Sequence, residues 1–177
     1  AVGVAELSAT GTASSSTFLR GDNAWAAPTS SASANEIVAH KIATINPGSG
    51  VTTSSTTYAE ASSSLRITHS LADSSNKLIF WFHSADAYIG ASMTGHIGVA
   101  KTTAITTSLT PEKGLTYVKS INGLEPHNIN GWAEYSPGAT TEFIYTPVFK
   151  RGSTSGTFYM VNSPGGNVSF MLTEVQQ

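Results

Sequence analysis

The sequence predicts an all-β protein, an antiparallel β-sandwich of the jelly-roll type. From Glu36 onward, apolar residues recur at every second position in short segments, which is the periodicity of strands that bury one face. Clusters of Gly, Pro, Asn and Ser separate these segments, as turns separate short antiparallel strands. No segment has the periodicity of an amphipathic helix. The pattern and the number of segments together favour a jelly-roll-like sandwich.

Nine strands are predicted, each bounded by turn-forming residues. In the second, Leu65, Ile67 and His69 share one face while Arg66 and Thr68 share the other, so one face is buried and one is solvated. The fourth alternates in the same way. In chain order the predicted strands are Ile37–Ile45, Tyr58–His69, Lys77–Ile89, Met93–Ile105, Leu115–Ile121, Gly131–Tyr135, Thr141–Lys150, Thr157–Asn162 and Val168–Val175.

The segment Lys77–Ile89 is apolar on both faces. One face carries Leu78, Phe80 and Phe82, and the other carries Ile79, Trp81, Ala85 and Ile89. Because only one face of each sheet meets the core of a small sandwich, the second face needs another chain or the folded-back N-terminal joint. The sequence therefore predicts self-association, with Ile79 and Trp81 in the contact.

Pro147 interrupts the aromatic run Phe143–Phe149. Proline has no N–H to donate to a strand ladder, so its position predicts either an edge strand or a bulge. An edge strand that contains proline is also protected against pairing with other molecules.

The N-terminal part of the chain predicts three regions in sequence. Residues 1–28 are the stem end and collar, residues 29–35 are a flexible Ser/Ala-rich joint, and residues 36–177 are the sandwich domain. Gly21-Asp22-Asn23 predicts a tight turn within the collar. Large apolar side chains flank this turn, and so short a segment cannot bury them in one chain. We expect copies of the chain to pack around Phe18, Leu19 and Trp25.

The collar resembles the segment that joins stem to tip in trimeric tail fibres of bacteriophages. The resemblance rests on the stretch Ser8–Pro28, in which a small Ser/Thr run precedes Thr17-Phe18-Leu19-Arg20-Gly21-Asp22, then Trp25, then Ala-Ala-Pro. Further landmarks resemble a widespread phage fibre-tip domain: Thr52–Tyr58, Leu65–Thr68, Ser74–Ile79 and Val168–Val175. The resemblance implies a homotrimeric β-sandwich that adheres to host-surface structures, usually glycans. It also implies a contact with other virion proteins through the N-terminal side.

Composition excludes several partners and cofactors. Charged residues make up 11% of the chain and the net charge is −2, so the basic surface that nucleic acid requires is missing. The chain has no cysteine, which removes disulfides and thiolate metal sites. No apolar run approaches the roughly 18 residues of a membrane-spanning helix. Arg20-Gly21-Asp22 matches an adhesion tripeptide, but turn chemistry already explains each of its residues.

The segment Asn122–Trp132 is the best surface candidate for ligand binding, as a loop with Gly hinges. Aromatic rings contact the C–H face of sugars, while amides and acids bind hydroxyl groups. The alternative is that Trp132 is a core residue of a strand and that the amides form turns. The candidate ligand-binding residues are Trp132, Tyr135, His127, Asn128 and Asn130, with Tyr88, Lys113 and Tyr117 as weaker candidates.

Metal binding and catalysis find little support in the sequence. The five histidines, His40, His69, His83, His96 and His127, have no metal-ligand spacing, although one histidine per chain on a trimer axis stays open. A glycan-cleaving enzyme needs two carboxylates about 5–9.5 Å apart, and Glu134 and Glu142 are the only pair that one hairpin would bring close. Ser74–Lys77 matches a Ser-x-x-Lys pattern without its supporting motifs. We expect no cofactor, no metal and no enzymatic activity.

These observations predict a virion protein, the distal part of a phage tail fibre, whose trimeric tip adheres to a host glycan during adsorption. The first alternative is a head fibre or capsid decoration protein with a structural role. The second is a fibre enzyme that degrades polysaccharide. Because the chain starts at Ala1 and continues a shaft-like pattern, we expect it to be a C-terminal fragment or a processed product of a longer fibre.

Overall fold

The computed structural model describes residues 10–27, 34–47, 50–89, 93–105, 109–119, 125–152, 156–161 and 166–177. The chain divides into two compact units, residues 1–33 and 34–177. The predicted stem end (residues 1–9), most of the joint and the segment 121–124 lie outside the described residues. Strands and turns make up nearly all of the described part, in agreement with the predicted all-β class.

The first unit contains a small hairpin of β1 (Phe18–Leu19) and β2 (Trp25–Ala26). The Asn23 N–H donates to the Arg20 carbonyl at 3.0 Å, which closes a four-residue turn, and Asn23 adopts a left-handed φ of 62°. Asx side chains favour such turns, and the Asp22 carboxylate accepts the Ala24 N–H at 3.3 Å. The predicted turn at Gly21-Asp22-Asn23 is confirmed.

The second unit contains two antiparallel sheets. Sheet one is built on the long strand β7 (Lys77–Ile89), which pairs with β10 (Glu125–Tyr135) along one edge. The other edge of β7 is shared, because β13 (Val168–Val175) pairs with its first part and β12 (Phe158–Val161) with its end. Outside these strands lie β3 (Ile37–Ile45), next to β13, and β4 (Val51–Thr53), next to β12.

Sheet two is built on β11 (Phe143–Arg151) and β8 (Thr94–Thr102), with β9 (Pro111–Lys119) beyond β8. The other edge of β11 is shared by β5 (Ala59–Glu60) and β6 (Ile67–His69). A 3₁₀ turn at Ser63–Leu65 separates these two short strands, and the Ser62 side chain caps it by accepting the Ser64 N–H.

The core lies between the two sheets and is rich in aromatic rings. Phe80 of sheet one lies 5.9 Å from Phe170 and 5.4 Å from Tyr145 of sheet two, measured between ring centroids. At the other end, Phe149 and Phe158 meet at 5.8 Å. Each fully buried side chain of this size contributes about 1.5–3 kcal/mol. The facing aromatic rings therefore hold the two sheets together.

The bounds of β3, β7 and β13 agree with the predicted strands, and three other predictions need correction. The predicted strand Tyr58–His69 is two short strands divided by the 3₁₀ turn. The segment predicted as a loop before Trp132 belongs to β10, which begins at Glu125. The prediction for Pro147 is also wrong, because β11 pairs on both sides and is not an edge strand.

Pro147 is tolerated inside the sheet because it lies opposite the gap between β5 and β6, the two short strands that share one edge of β11. Its register partner on β8 is Val99, and its carbonyl accepts the Ala61 N–H at 3.0 Å on the opposite side. In an antiparallel strand the N–H and C=O of one residue point to the same side. The missing N–H therefore faces the break between β5 and β6, and no hydrogen bond to β8 is lost.

Candidate functional site

The outer face of sheet one carries an apolar row that crosses four neighbouring strands. Ile42, Met171, Trp81 and Trp132 are successive register partners on β3, β13, β7 and β10. Ile42 is 57% exposed, Trp81 46% and Trp132 58%, and the two indole rings lie 6.3 Å apart. We call these four residues the tryptophan face. An apolar surface of this kind marks a contact site.

The tryptophan face follows from strand alternation in the sequence. Trp81 lies between the buried Phe80 and Phe82, so the pleat directs it away from the core. Polar pairs occupy the rows on either side. His40 Nδ1 is 2.8 Å from Thr173 Oγ1, and His83 Nδ1 is 2.9 Å from Asn130 Oδ1. These cross-strand hydrogen bonds fix the polar side chains beside the row and leave the indole rings uncovered.

The predicted ligand-binding residues are divided between the two faces of β10. Three of them, Asn128, Asn130 and Trp132, are exposed on the outer face. The alternative interpretation of Trp132 as a core residue is therefore wrong. Tyr135 has the opposite orientation and packs against the core ring of Phe80, with centroids 6.2 Å apart. The side chain of His127 lies outside the described residues. The structure therefore brings three of the five together, and Tyr135 belongs to the core.

The weaker candidates are also separated. Tyr88 packs edge-to-face on Tyr159, with centroids 5.6 Å apart. Lys113 is exposed on β9, and the side chain of Tyr117 lies outside the described residues.

The residues predicted to pack between copies belong to sheet one and to the hairpin of the first unit. Ile79 and Trp81 lie on the outer face of sheet one, with Ile79 partly exposed. In the hairpin of the first unit, Phe18 is 48% exposed, Leu19 is 37% exposed and Trp25 is half-buried. These large apolar side chains are only partly covered by the described residues of the chain.

A buried polar cluster links the two sheets near the end of β13. The Glu174 carboxylate is 1% exposed and accepts the Ala72 N–H at 2.8 Å and the Asn76 Nδ2 at 2.6 Å. His69 Nε2 of sheet two lies 2.8 Å from the second carboxylate oxygen. Burial raises the pKa of Glu174, but the hydrogen bonds from Asn76, Ala72 and His69 outweigh it and the net shift is downward. The Glu174 carboxylate therefore links the two sheets, and it is the polar partner of the buried His69 side chain.

The outer face of sheet two carries a second carboxylate, in a half-exposed position. Arg66 donates to both Glu60 oxygens at 2.6 Å, and Thr146 donates to one of them at 2.9 Å. The hydrogen bonds from Arg66 lower the pKa of Glu60 more than its burial raises it. Nearby, Ala100, Leu109 and Val148 form a small apolar cluster beneath Tyr58.

Tyr58 also borders two clefts on this face that sequence reasoning missed. One cleft, of about 300 Å³, lies against His96, Gly114 and Thr116, and the other, of about 460 Å³, lies against Thr110 and Lys150. Lys150 Nζ lies 4.6 Å from the centroid of the Tyr58 ring. The sequence signal nearest to this site is Gly114, which directly precedes the predicted strand Leu115–Ile121 and lies inside the observed strand β9.

A third and larger cleft, of about 690 Å³, lies where the edge of sheet one changes from β3 to β4. Small polar side chains and backbone line it, including Thr44, Asn46, Thr52, Ser62 and Ser64. Phe149, Ile45 and Val51 line it as well, and the Glu60 carboxylate at its border is paired with Arg66.

The remaining chemical motifs are accounted for by local structure. In the Ser74–Lys77 stretch, Asn76 binds Glu174 and Ser75 donates to Asp73. Glu134 is exposed on β10, and Glu142 is exposed before β11. Within the described ranges, no three His, Asp or Glu side chains group as metal ligands, and no helix is long and apolar enough to cross a membrane.

Comparison with known proteins does not assign the chain to a family. No protein-family model matches the sequence, and the search of curated proteins finds no match.

Proposed function

We propose that this chain forms the tip part of a homotrimeric virion fibre, most closely resembling a phage tail fibre, and adheres to a glycan on the host surface. The observation that carries the proposal is the tryptophan face, an apolar row on a sheet that has no other layer over it in the described residues. The place in a virion rests on the sequence resemblance of Ser8–Pro28 and of the later landmarks. The chain acts by binding, without catalysis or a cofactor.

The strand order supports a jelly roll within this proposal. Sheet one contains β3, β13, β7 and β10 in spatial order, and sheet two contains β5 or β6, β11, β8 and β9. From β4 to β13 the chain crosses to the other sheet at every step except β5 to β6, β8 to β9 and β12 to β13, a pattern consistent with two Greek keys wrapped into a sandwich.

The tryptophan face has one occupant in this proposal, which is a neighbouring copy of the chain. The sequence suggested that Trp81 packs between copies and that Trp132 binds sugar, yet the two rings lie 6.3 Å apart on one surface. The row is continuous over four strands and about one residue wide, with hydrogen-bonded polar pairs beside it. Such an extended row matches a protein surface better than a single sugar ring, and the exposed Phe18 and Leu19 in the first unit need the same kind of partner.

Trimerisation is useful for adhesion because each site is then present three times on one rigid particle. Multivalent attachment raises the overall affinity by about 10²–10⁴ without a strong single site. The low net charge of −2 favours a ligand that is not held mainly by long-range electrostatics.

The test combines the mass of the protein in solution with its adsorption to cells. We expect a mass three times 18.4 kDa by light scattering, and saturable adsorption of labelled protein to cells of at least one bacterial strain. Prior enzymatic removal of surface polysaccharide should abolish adsorption. A monomer at micromolar concentration contradicts the assembly, and an intact trimer that adsorbs to no strain in a broad panel contradicts the adhesive role in favour of a structural fibre.

The Trp132→Ala variant separates the two roles of the tryptophan face. If the face joins copies, the variant dissociates at a higher protein concentration than the wild type, and adsorption falls in step with the trimer. A variant that stays fully trimeric and loses adsorption assigns Trp132 to the ligand instead.

A further inference from the structure

We infer that the two clefts that share Tyr58 on sheet two, one over Gly114 and the other against Lys150, bind an acidic sugar unit of a surface glycan. The inference rests on the proposed adhesive function and names the site and the ligand class for it.

The floor of this cleft is backbone, because two glycines face each other on neighbouring strands. Gly98 of β8 and Gly114 of β9 are register partners, in the same row as Val148 of β11. Val148 and Lys150 alternate with the core residue Phe149, so this row and the next lie on the outer face of sheet two. Pro111 covers Gly98, so the open backbone beside the Tyr58 ring lies at Gly114.

The two glycines differ in the space that surrounds them. A Cβ at Gly98 would lie 2.7 Å from the Pro111 Cβ and 2.8 Å from the Lys113 carbonyl, so packing explains that glycine. A Cβ at Gly114 would have no described atom within 4 Å, and Gly114 does not adopt the positive φ that favours glycine. Glycine inside a strand weakens it and marks close approach of a ligand or another backbone. A register shift of β9 against β8 lies next to Gly114, so this glycine also borders a β-bulge. The space above Gly114 is open, and a side chain at this position would fill the cleft.

The walls of the cleft carry the groups that a sugar needs. Tyr58 borders both the 300 Å³ cleft over Gly114 and the adjoining 460 Å³ cleft, which also contains the Thr57 and Thr110 hydroxyl groups. These volumes are at the lower end of the range for ligand pockets, which is about 300–1,000 Å³, and they suit one or two sugar units. His96 lies beside Lys150 as its register partner on β8.

The charge of the cleft selects an acidic sugar. Lys150 has no carboxylate within salt-bridge distance in the described part of the chain, and its ammonium group lies over the Tyr58 ring. Glu60, the register partner of Val148 on the same face, is taken up by Arg66. Burial first, and the positive charge of Lys150 second, lower the pKa of His96, which disfavours its charged form. One cation therefore remains to pair with a carboxylate of the ligand.

The experiment measures binding of acidic oligosaccharides to the whole chain and to matched variants. The probes are short oligomers that contain galacturonate, glucuronate or N-acetylneuraminate, each paired with its carboxyl-reduced neutral form. We expect the wild type to bind at least one acidic oligomer, to bind its neutral form about tenfold or more weakly, and to show shifts of the Gly98 and Gly114 amide signals by NMR. Gly114→Val should abolish this binding while its melting temperature stays equal to or above that of the wild type, because valine favours strands.

The Lys150→Gln variant tests whether the Lys150 ammonium group pairs with the carboxylate of the ligand, and Lys113→Gln is its control. Both variants remove one positive charge, and Lys113 is exposed on the same strand as Gly114. We expect about a tenfold loss of affinity for Lys150→Gln, the effect of about 1.4 kcal/mol, and an unchanged affinity for Lys113→Gln. If no acidic oligomer binds, or if Gly114→Val binds as the wild type does, the inference is wrong. Cell adsorption by the wild type in that case leaves the proposed function standing, with its ligand at another site.

Discussion

The outer faces of the two sheets are built from opposite chemistry. Sheet one presents large apolar side chains in a continuous row, with neutral polar pairs that satisfy each other beside it. Sheet two presents a lysine, an ion-paired carboxylate and a bare stretch of backbone around Tyr58. An apolar row gains most from contact with another apolar surface, whereas oriented polar groups around a small cleft discriminate between ligands. This difference is why we propose assembly through sheet one and recognition through sheet two.

The strongest disturbance of both faces at once is removal of Glu174, because this carboxylate links the two sheets. Glu174→Ala leaves Asn76 and the Ala72 N–H without their acceptor in a buried position. Breaking a buried pair of this kind costs about 3–5 kcal/mol, and we expect a loss of that size in the free energy of unfolding by urea. Glu134→Ala, which removes an exposed acid, is the control and should stay within about 0.5 kcal/mol of the wild type. Equal stability of the two variants would contradict the structural role of Glu174.

The second prediction disturbs sheet one alone. Trp81→Ser combined with Trp132→Ser removes both exposed indole rings, so the trimer should dissociate and the mass by light scattering should fall to one third. Because both side chains lie outside the core, the far-ultraviolet circular dichroism spectrum should keep its β-sheet form. A double variant that stays trimeric at low micromolar concentration would show that sheet one is not the contact between copies.

The third prediction concerns the pH dependence of stability, which the carboxylates of Glu174 and Glu60 are expected to cause. The folded chain holds the pKa of Glu174 and that of Glu60 below the ordinary value of 4.5. Their contribution to stability is therefore fully present above about pH 4.5 and is lost as the pH falls through the folded values. We expect the free energy of unfolding to decrease on acidification below that pH, and to decrease less in Glu174→Gln. Parallel pH profiles for the two proteins would exclude Glu174 as a source of the dependence.

The smallest expected effect is on the outer face of sheet two alone. Thr146→Val removes the buried hydroxyl that donates to Glu60 while keeping the shape of the side chain. A single hydrogen bond of this kind contributes about 0.5–1.5 kcal/mol, so a loss of about 1 kcal/mol is expected in urea unfolding, with the oligomeric mass unchanged. A variant as stable as the wild type would mean that Arg66 alone holds Glu60.

The sequence predicted strands well where local alternation and pairing agree. Strands β3, β7 and β13 have the predicted bounds because their alternation is strong and turn-forming residues flank them. Strand β10 was missed before Gly131, because Pro126, Asn128 and Asn130 are turn-forming types. In the structure β10 pairs along nearly the whole length of β7, and this pairing overrides the weak local propensity.

The sequence by itself determined the all-β class, the turn at Gly21-Asp22-Asn23 and the second apolar face of β7, since these depend on residues close together in the chain. Only the tertiary structure decided which distant residues meet. Trp132 lies beside Trp81 because of the register between β7 and β10, and His69 meets Glu174 across 105 positions of sequence. The space over Gly114 likewise depends on Gly98 and Tyr58, which reach it from other strands and loops. Alternation fixes the face on which a side chain lies, but register and sheet packing fix its neighbours.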